Sequence, residues 1–487
     1  MTIAQTTQGP VQGQEKAGVL LFAGIPYAAP TIDNLRFRAA QAHEPWFEVR
    51  PALKFGPAAP QVPTGGMTDS ASVRWSEDCL TLNICTPALD DKARPVLVWI
   101  HGGGYRTGQG AVPWYNGTSF TLQGDIVVVS INYRLGALGF ADVSRFGEAY
   151  ETSGINGILD QITALEWVRD NIANFGGDPA KTTIAGESAG GFSVCTLLGS
   201  PLTTGLFRNV IAQSGAAHHT LPPAASACVT DRFLAVLDVE NATSLEALSV
   251  DEILTAQQQV SDELGGDTVT AYGAAVAPFY PVEGTRVLPE NPLDAIRGGR
   301  HSDVAVLTGT NRQETTLWGY GEVDDARLER MAESFGAASV LSTYRSGRPA
   351  ANADDLMIAL TTDHMFRIPA IRLAEARAGQ QGQTWMYWFC WASRAFNGRL
   401  GATHALEIPF AFNTLAAGGV DVFLGAGTLP QALADTMHAA WISFIREGDP
   451  GWTAYNTQSR STMRFDEQSA LLEDPEAGER RAWQGLR

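Results

Sequence analysis

The chain has 487 residues, 45% of them hydrophobic, with 12 Trp and 21 Phe, enough to bury a large core. Its 34 basic and 52 acidic residues give a net charge of −18, spread along the chain, which argues against a nucleic-acid or anionic-membrane partner. No run of about 18 apolar residues predicts a transmembrane helix. Met1 to Gln14 has neither the basic nor the apolar region of a secretory signal, so a cytoplasmic location is expected. The five cysteines and eight histidines lack metal-ligand spacing, and no metal site or disulfide framework is expected.

In chain order, Val19 to Gly24 reads as a short strand. Val62 to Trp75, rich in Gly, Ser and Thr, reads as a mobile flap. Apolar runs follow at 96–100, 126–131, 182–185, 209–213, 303–308 and 384–391. Between them, residues 158–173 place Ile158, Ile162, Leu165, Val168 and Ile172 at helical spacing. Such alternation predicts an α/β fold, a large and mostly parallel sheet with helices on both faces. Residues 221–262 and 322–380 read as helix-rich insertions. Insertions at the carboxyl edge of such a sheet roof its site. The whole of 1–487 is expected to form a single domain.

Two motifs carry chemistry. Gly186-Glu187-Ser188-Ala189-Gly190 follows the apolar run Thr182 to Ala185 and precedes a helical stretch, Ala189 to Leu198. This G-x-S-x-G pattern is that of a nucleophile elbow, in which a strand turns at once into a helix and strains the central Ser. Chance supplies roughly 0.3 such matches in a chain of this size, so context must support it. The support is His101-Gly102-Gly103-Gly104 after the strand Val96 to Ile100, the pattern that supplies oxyanion-hole donors.

Further blocks carry a family resemblance. They are Phe22 to Ala28, Ser76 to Asn83 (S-E-D-C-L-T-L-N), Asn132-Tyr133-Arg134, Asn156 to Gln161, Phe175 to Pro179, and Gly401 to His404 followed by Glu407 to Phe410. The chain resembles the type-B carboxylesterases, the branch of the α/β-hydrolase fold that includes para-nitrobenzyl esterases and cholinesterases. The resemblance covers nearly the whole chain. It implies that Glu187 points into the site, and that Arg36 with Glu77 and Arg134 with Asp160 brace the sheet. In many relatives the cysteine at position 79 pairs with an upstream Cys. Here that segment reads Gly56-Pro57-Ala58-Ala59-Pro60-Gln61, so that disulfide cannot form.

A serine hydroxyl needs a general base, and the base needs an orienting acid. In α/β-hydrolases these follow in the order Ser, acid, His. Glu314 lies in the turn after the 303–308 strand and is the expected acid, with Asp363 as the poorer alternative. Relatives usually read D-E-G here, whereas this chain reads Gln313-Glu314-Thr315. His404, in a Gly-containing loop after the last strong strand, is the expected base. His438, His364 and His301 fit worse, and His101 is expected to order the oxyanion loop. Backbone N–H groups of Gly103, Gly104 and Ala189 would hold the oxyanion. The expected reaction is hydrolysis of a small-molecule ester by a monomer or homodimer, without a cofactor. The alternatives are a carbamate hydrolase on the same fold and a non-catalytic cholinesterase-like binding protein. Tyr105, Trp114, Tyr272, Phe279, Trp318, Tyr320 and Phe396 are the candidates to line an apolar gorge.

Overall fold

The computed structural model describes residues 2–62, 73–264 and 278–486. Most of the expected flap, and Tyr272 of the gorge candidates, lie outside these residues. Strands β1 (Ile3–Gln5), β2 (Pro10–Gln12) and β5 (Arg50–Pro51) form a small sheet. The other strands are β3 (Gln14–Lys16), β4 (Val19–Pro26), β6 (Thr81–Thr86), β7 (Arg94–Ile100), β8 (Val127–Ile131), β9 (Gly177–Glu187) and β10 (Asn209–Gln213). They continue with β11 (Ala305–Asn311), β12 (Thr384–Phe389), β13 (Ser461–Phe465) and β14 (Ala470–Glu473). Together these make an 11-stranded sheet in the order β14-β13-β12-β11-β10-β9-β7-β8-β6-β4-β3. From β13 to β8 all neighbours are parallel, and the strands flanking this block are antiparallel.

The apolar runs become strands buried on both faces, as central parallel strands must be. In β7, Val96, Val98 and Ile100 pack into one core while Leu97 and Trp99 pack into another. The two-residue period of a strand thus feeds two separate cores. The first core takes the helices Asn156–Asn171 and Pro223–Leu237. The second takes Leu433, Met437, Trp441 and Phe444 of the helix Gln431–Glu447. Burying each such side chain stabilises the fold by roughly 1.5–3 kcal/mol. The 322–380 insertion packs around a third core, which Trp483 near the C-terminus completes.

The register positions the site. Ile100 of β7 and Ala212 of β10 both pair with Gly186 of β9, and Gln213 pairs with both Glu187 and Gly309. The carboxyl ends of β7, β9 and β10 therefore lie side by side, with β11 next in the row, at the edge where open α/β sheets bind ligands. The expected acid strand runs from Ala305 to Asn311 rather than from 303 to 308. Asn311 is thus its last residue rather than part of the turn. The expected helix at 158–173 spans Asn156–Asn171.

Candidate active site

Ser188 caps the helix Ala189–Gly199 with φ 56° and ψ −122°, a strained conformation for a residue with a side chain. The flanking glycines are obligatory. A Cβ on Gly190 would lie 2.0 Å from the Ile100 carbonyl oxygen, and one on Gly186 would lie 2.4 Å from the Gly190 carbonyl carbon. Ser188 N–H donates to the Gln213 carbonyl at 3.0 Å, and the Ser188 carbonyl accepts Phe192 N–H at 2.8 Å. These bonds fix the turn from the neighbouring strand and from its own helix.

The loop after β7 lies against this turn, since a Cβ on Gly102 would come 3.1 Å from Ser188 Cβ. Gly103 (φ 109°) and Gly104 (φ 62°) occupy the left-handed half of conformational space. Around Gly104 the space is open, with no heavy atom within 4 Å of an added Cβ. Among the described residues, the N–H groups of Gly103, Gly104 and Ala189 have no backbone acceptor. His101 opens the loop. Its Nδ1 lies 2.8 Å from the Gly102 carbonyl oxygen, and its ring stacks on Tyr133 at 4.5 Å. Burial pushes its pKa down to about 4, which keeps the imidazole neutral.

Glu314 opens a short 3₁₀ turn, Glu314–Leu317, and is fully buried. Its Oε2 lies 2.7 Å from His404 Nδ1, its Oε1 accepts Asn311 N–H at 2.8 Å, and its carbonyl accepts His404 N–H at 3.2 Å. The departure from D-E-G has a structural counterpart. Gln313 Oε1 accepts Ala402 N–H at 2.8 Å, and Gln313 N–H donates to the Ala402 carbonyl at 3.0 Å. Thr316 Oγ1 donates to the Leu400 carbonyl at 2.6 Å. Of the two altered neighbours, Gln313 thus ties the Glu314 turn to the histidine loop, while Thr315 Oγ1 lies 2.7 Å from Thr361 Oγ1 in the helix Ala353–Thr362.

His404 Nε2 faces Glu187 Oε1 at 3.1 Å, an ion-pair distance. Among the described residues no hydrogen bond joins Nε2 to Ser188. Burial works to lower the His404 pKa. The Glu187 charge and the Glu314 hydrogen bond outweigh it and raise the pKa to about 9. Burial raises the Glu187 pKa above that of an exposed carboxylate, the His404 charge opposes the rise, and Glu407 and Glu314 add repulsion. Glu407 was part of the histidine-loop pattern, but its partners are visible only in three dimensions. It accepts Gln213 Nε2 at 3.1 Å and Asn311 Nδ2 at 2.6 Å. One imidazole thus sits among three buried carboxylates.

Of the gorge candidates, Trp318 has its ring against His404, at 5.1 Å. Tyr105 packs on Phe140 and Tyr280, Trp114 stacks on Phe423, Phe279 packs on Phe233, and Phe396 is exposed. Phe366 also touches His404, at 4.9 Å, and sequence reasoning missed it because it lies in an insertion. The alternative groups are engaged elsewhere. Asp363 pairs with Arg367, His438 Nδ1 with the Ala411 carbonyl, and His301 Nδ1 with the Leu198 carbonyl, while His364 stacks on Phe335. Arg36 with Glu77 and Arg134 with Asp160 form ion pairs at 2.6 Å. All five cysteines are free thiols. Among the described residues, no helix is long and apolar enough to cross a membrane, and no cluster of three His, Cys, Asp or Glu is placed to hold a metal ion.

The chain is similar to known proteins over nearly its whole length. Residues 1–483 match the carboxylesterase family. The chain is 35% identical to the para-nitrobenzyl esterase of Bacillus subtilis, over 98% of this chain and 97% of that one. It is 34% identical to the phenmedipham hydrolase of Pseudarthrobacter oxydans, over 98% and 96%. The Geobacillus stearothermophilus carboxylesterase EST55 superposes with a TM-score of 0.90 at 35% identity, covering 99% of this chain and all of that one. The chain belongs to the carboxylesterase family and is a serine hydrolase of carboxylic esters on the α/β-hydrolase fold.

Proposed function

We propose that Ser188, His404 and Glu314 are the nucleophile, base and acid of this ester hydrolase. The observation that carries this reading is the 2.7 Å contact between His404 and Glu314, beside a serine held at φ 56°. Ser188 Oγ attacks the ester carbonyl carbon while its proton passes to His404 Nε2. The same proton then goes to the leaving alkoxide, and water, activated by His404, releases the acid from the acyl-enzyme. Glu314 holds the Nδ1–H tautomer and offsets the imidazolium charge. The N–H groups of Gly103, Gly104 and Ala189 receive the developing oxyanion, where each such donor is worth ~10²–10³ in turnover. Glu187, at Nε2, favours the imidazolium that forms when Ser188 loses its proton. These groups supply nucleophile, proton transfer and charge stabilisation, so the reaction calls for no metal or cofactor. The substrate is a small-molecule ester, and the enzyme acts as one domain, a monomer or homodimer of the cytoplasm. The free thiols fit a reducing compartment.

The experiment is mass spectrometry after treatment with a fluorophosphonate, with turnover of para-nitrophenyl acetate and butyrate in parallel. One adduct on Ser188, abolished together with turnover by Ser188→Ala, is the expected result. Ester hydrolysis retained in Ser188→Ala removes Ser188 from the mechanism.

A further inference from the structure

The 322–380 insertion contains a π-helical turn. It spans Asp363–Arg367, between the helices Ala353–Thr362 and Ile368–Ala376. Such a turn holds one residue more than an α turn, so it redirects the side chains within it relative to an unbroken helix. It persists only where its surroundings hold it.

The side chains of this turn divide between two sides. Arg367 Nε and Nη2 donate to the Asp363 carboxylate at 2.6 and 2.8 Å. Arg367 Nη2 also lies 3.3 Å from Glu479, and Nη1 donates to the Pro475 carbonyl at 3.2 Å. Tyr344 Oη donates to Asp363 and accepts Trp483 Nε1–H at 2.8 Å. His364 stacks on Phe335 at 3.7 Å. Asp363, His364, Arg367 and Tyr344 are buried and face Glu479 and Trp483 of the C-terminal segment. Phe366 faces the active site instead. Its ring is 4.9 Å from His404, 6.0 Å from Trp318 with the ring planes only 4° apart, and 6.4 Å from Phe192 of the helix that follows Ser188. At 2% exposure it is seated among these rings. A buried ion pair is a poor source of stability, because desolvation offsets the attraction. The geometry it enforces is the better account of this one.

We propose that this turn gauges the width of the substrate pocket. Phe366 limits the girth of the substrate group lodged beside His404. Arg367, held by Asp363 and Glu479, is the positioning residue that keeps the turn, and so the ring, in place. The substrate class that fits is an ester whose group beside His404 is slender or flat rather than branched. This rests on the role proposed above for His404.

The test compares kcat/KM for para-nitrophenyl butyrate and para-nitrophenyl trimethylacetate, the linear and the branched ester. The variants are Phe366→Ala, Phe366→Leu, Glu479→Gln, and the double change Asp363→Asn with Arg367→Met, which leaves no charge of that pair behind. Phe366→Ala is expected to raise the branched-to-linear ratio by about tenfold, and Phe366→Leu by less. Glu479→Gln and the double variant are expected to move the ratio the same way, by about threefold. A purely structural role would lower kcat/KM for both esters by the same factor and leave the ratio alone. A ratio within about twofold of wild type in Phe366→Ala overturns the gauge. If the double variant melts below the assay temperature, Glu479→Gln decides the positioning role. A ratio that moves in Phe366→Ala but in no ion-pair variant overturns that role. Failure of wild type to take a fluorophosphonate adduct on Ser188 is a different result. It overturns the reaction proposed above, and this inference with it.

Discussion

His404 Nδ1 lies 2.7 Å from Oε2 of Glu314, and the other oxygen of that carboxylate accepts a backbone N–H at 2.8 Å. Both oxygens are thus engaged in a fully buried site. Glu314→Gln keeps the shape but presents the imidazole with an amide, which can stabilise the wrong tautomer. We expect kcat to fall by about 10³–10⁴ with little change in melting temperature. A rate within tenfold of wild type would assign the acid to another carboxylate.

We expect Glu187 to set the pH dependence. In the proposed mechanism His404 must be neutral to accept the Ser188 proton, and neighbouring carboxylates raise its pKa to about 9. Activity is therefore expected to rise with pH along a limb centred above the ordinary histidine value of about 6.5. Glu187→Gln removes one favourable charge from Nε2. The limb in kcat/KM should then move down by about one unit. An unmoved limb would separate Glu187 from the titration of His404.

Two glycines predict opposite phenotypes. A Cβ at Gly190 would meet the Ile100 carbonyl oxygen at 2.0 Å, so Gly190→Ala should destabilise the elbow itself and lower the melting temperature. At Gly104 a Cβ meets nothing within 4 Å, and only its φ of 62° resists substitution. Gly104→Ala should cost about 1–2 kcal/mol of stability. It should still lose most turnover, because the methyl group intrudes where the substrate oxygen is expected. Comparing melting curves with kcat for the pair checks the contrast.

Thiol chemistry tests burial. Cys228 is exposed, whereas Cys79, Cys85, Cys195 and Cys390 are buried. Burial raises the Cys79 and Cys195 thiols well above their ordinary range. Ellman's reagent should label one thiol promptly in the native protein and all five after denaturation without reductant. Fewer than five in the denatured state would reveal a disulfide.

The arrangement around Gln313 shows where sequence reasoning stopped. The replacement of the usual Asp was plain in the chain, but its compensation was not. The bond to Ala402 joins residues 89 positions apart. Phe366 shows the same limit, since nothing local distinguishes a pocket-facing Phe from a core Phe, and a π turn leaves no reliable periodic trace.

What the chain determined by itself was local. Apolar runs became strands, Gly186 and Gly190 permitted the elbow, Gly102 to Gly104 permitted the loop, and the order of Ser188, Glu314 and His404 named the candidate residues. The strands, elbow and loop follow from sterics and hydrophobic period, which act over a few residues, whereas Glu314 and His404 were named by the Ser, acid, His order of α/β-hydrolases. Tertiary structure alone decided the rest. It aligned the carboxyl ends of β7, β9, β10 and β11, set Glu187 at 3.1 Å from His404, and gathered Glu407, Asn311 and Gln213 behind the imidazole. Charge, desolvation and hydrogen bonding depend on distance in space, and only the folded sheet converts positions hundreds of residues apart into ångströms.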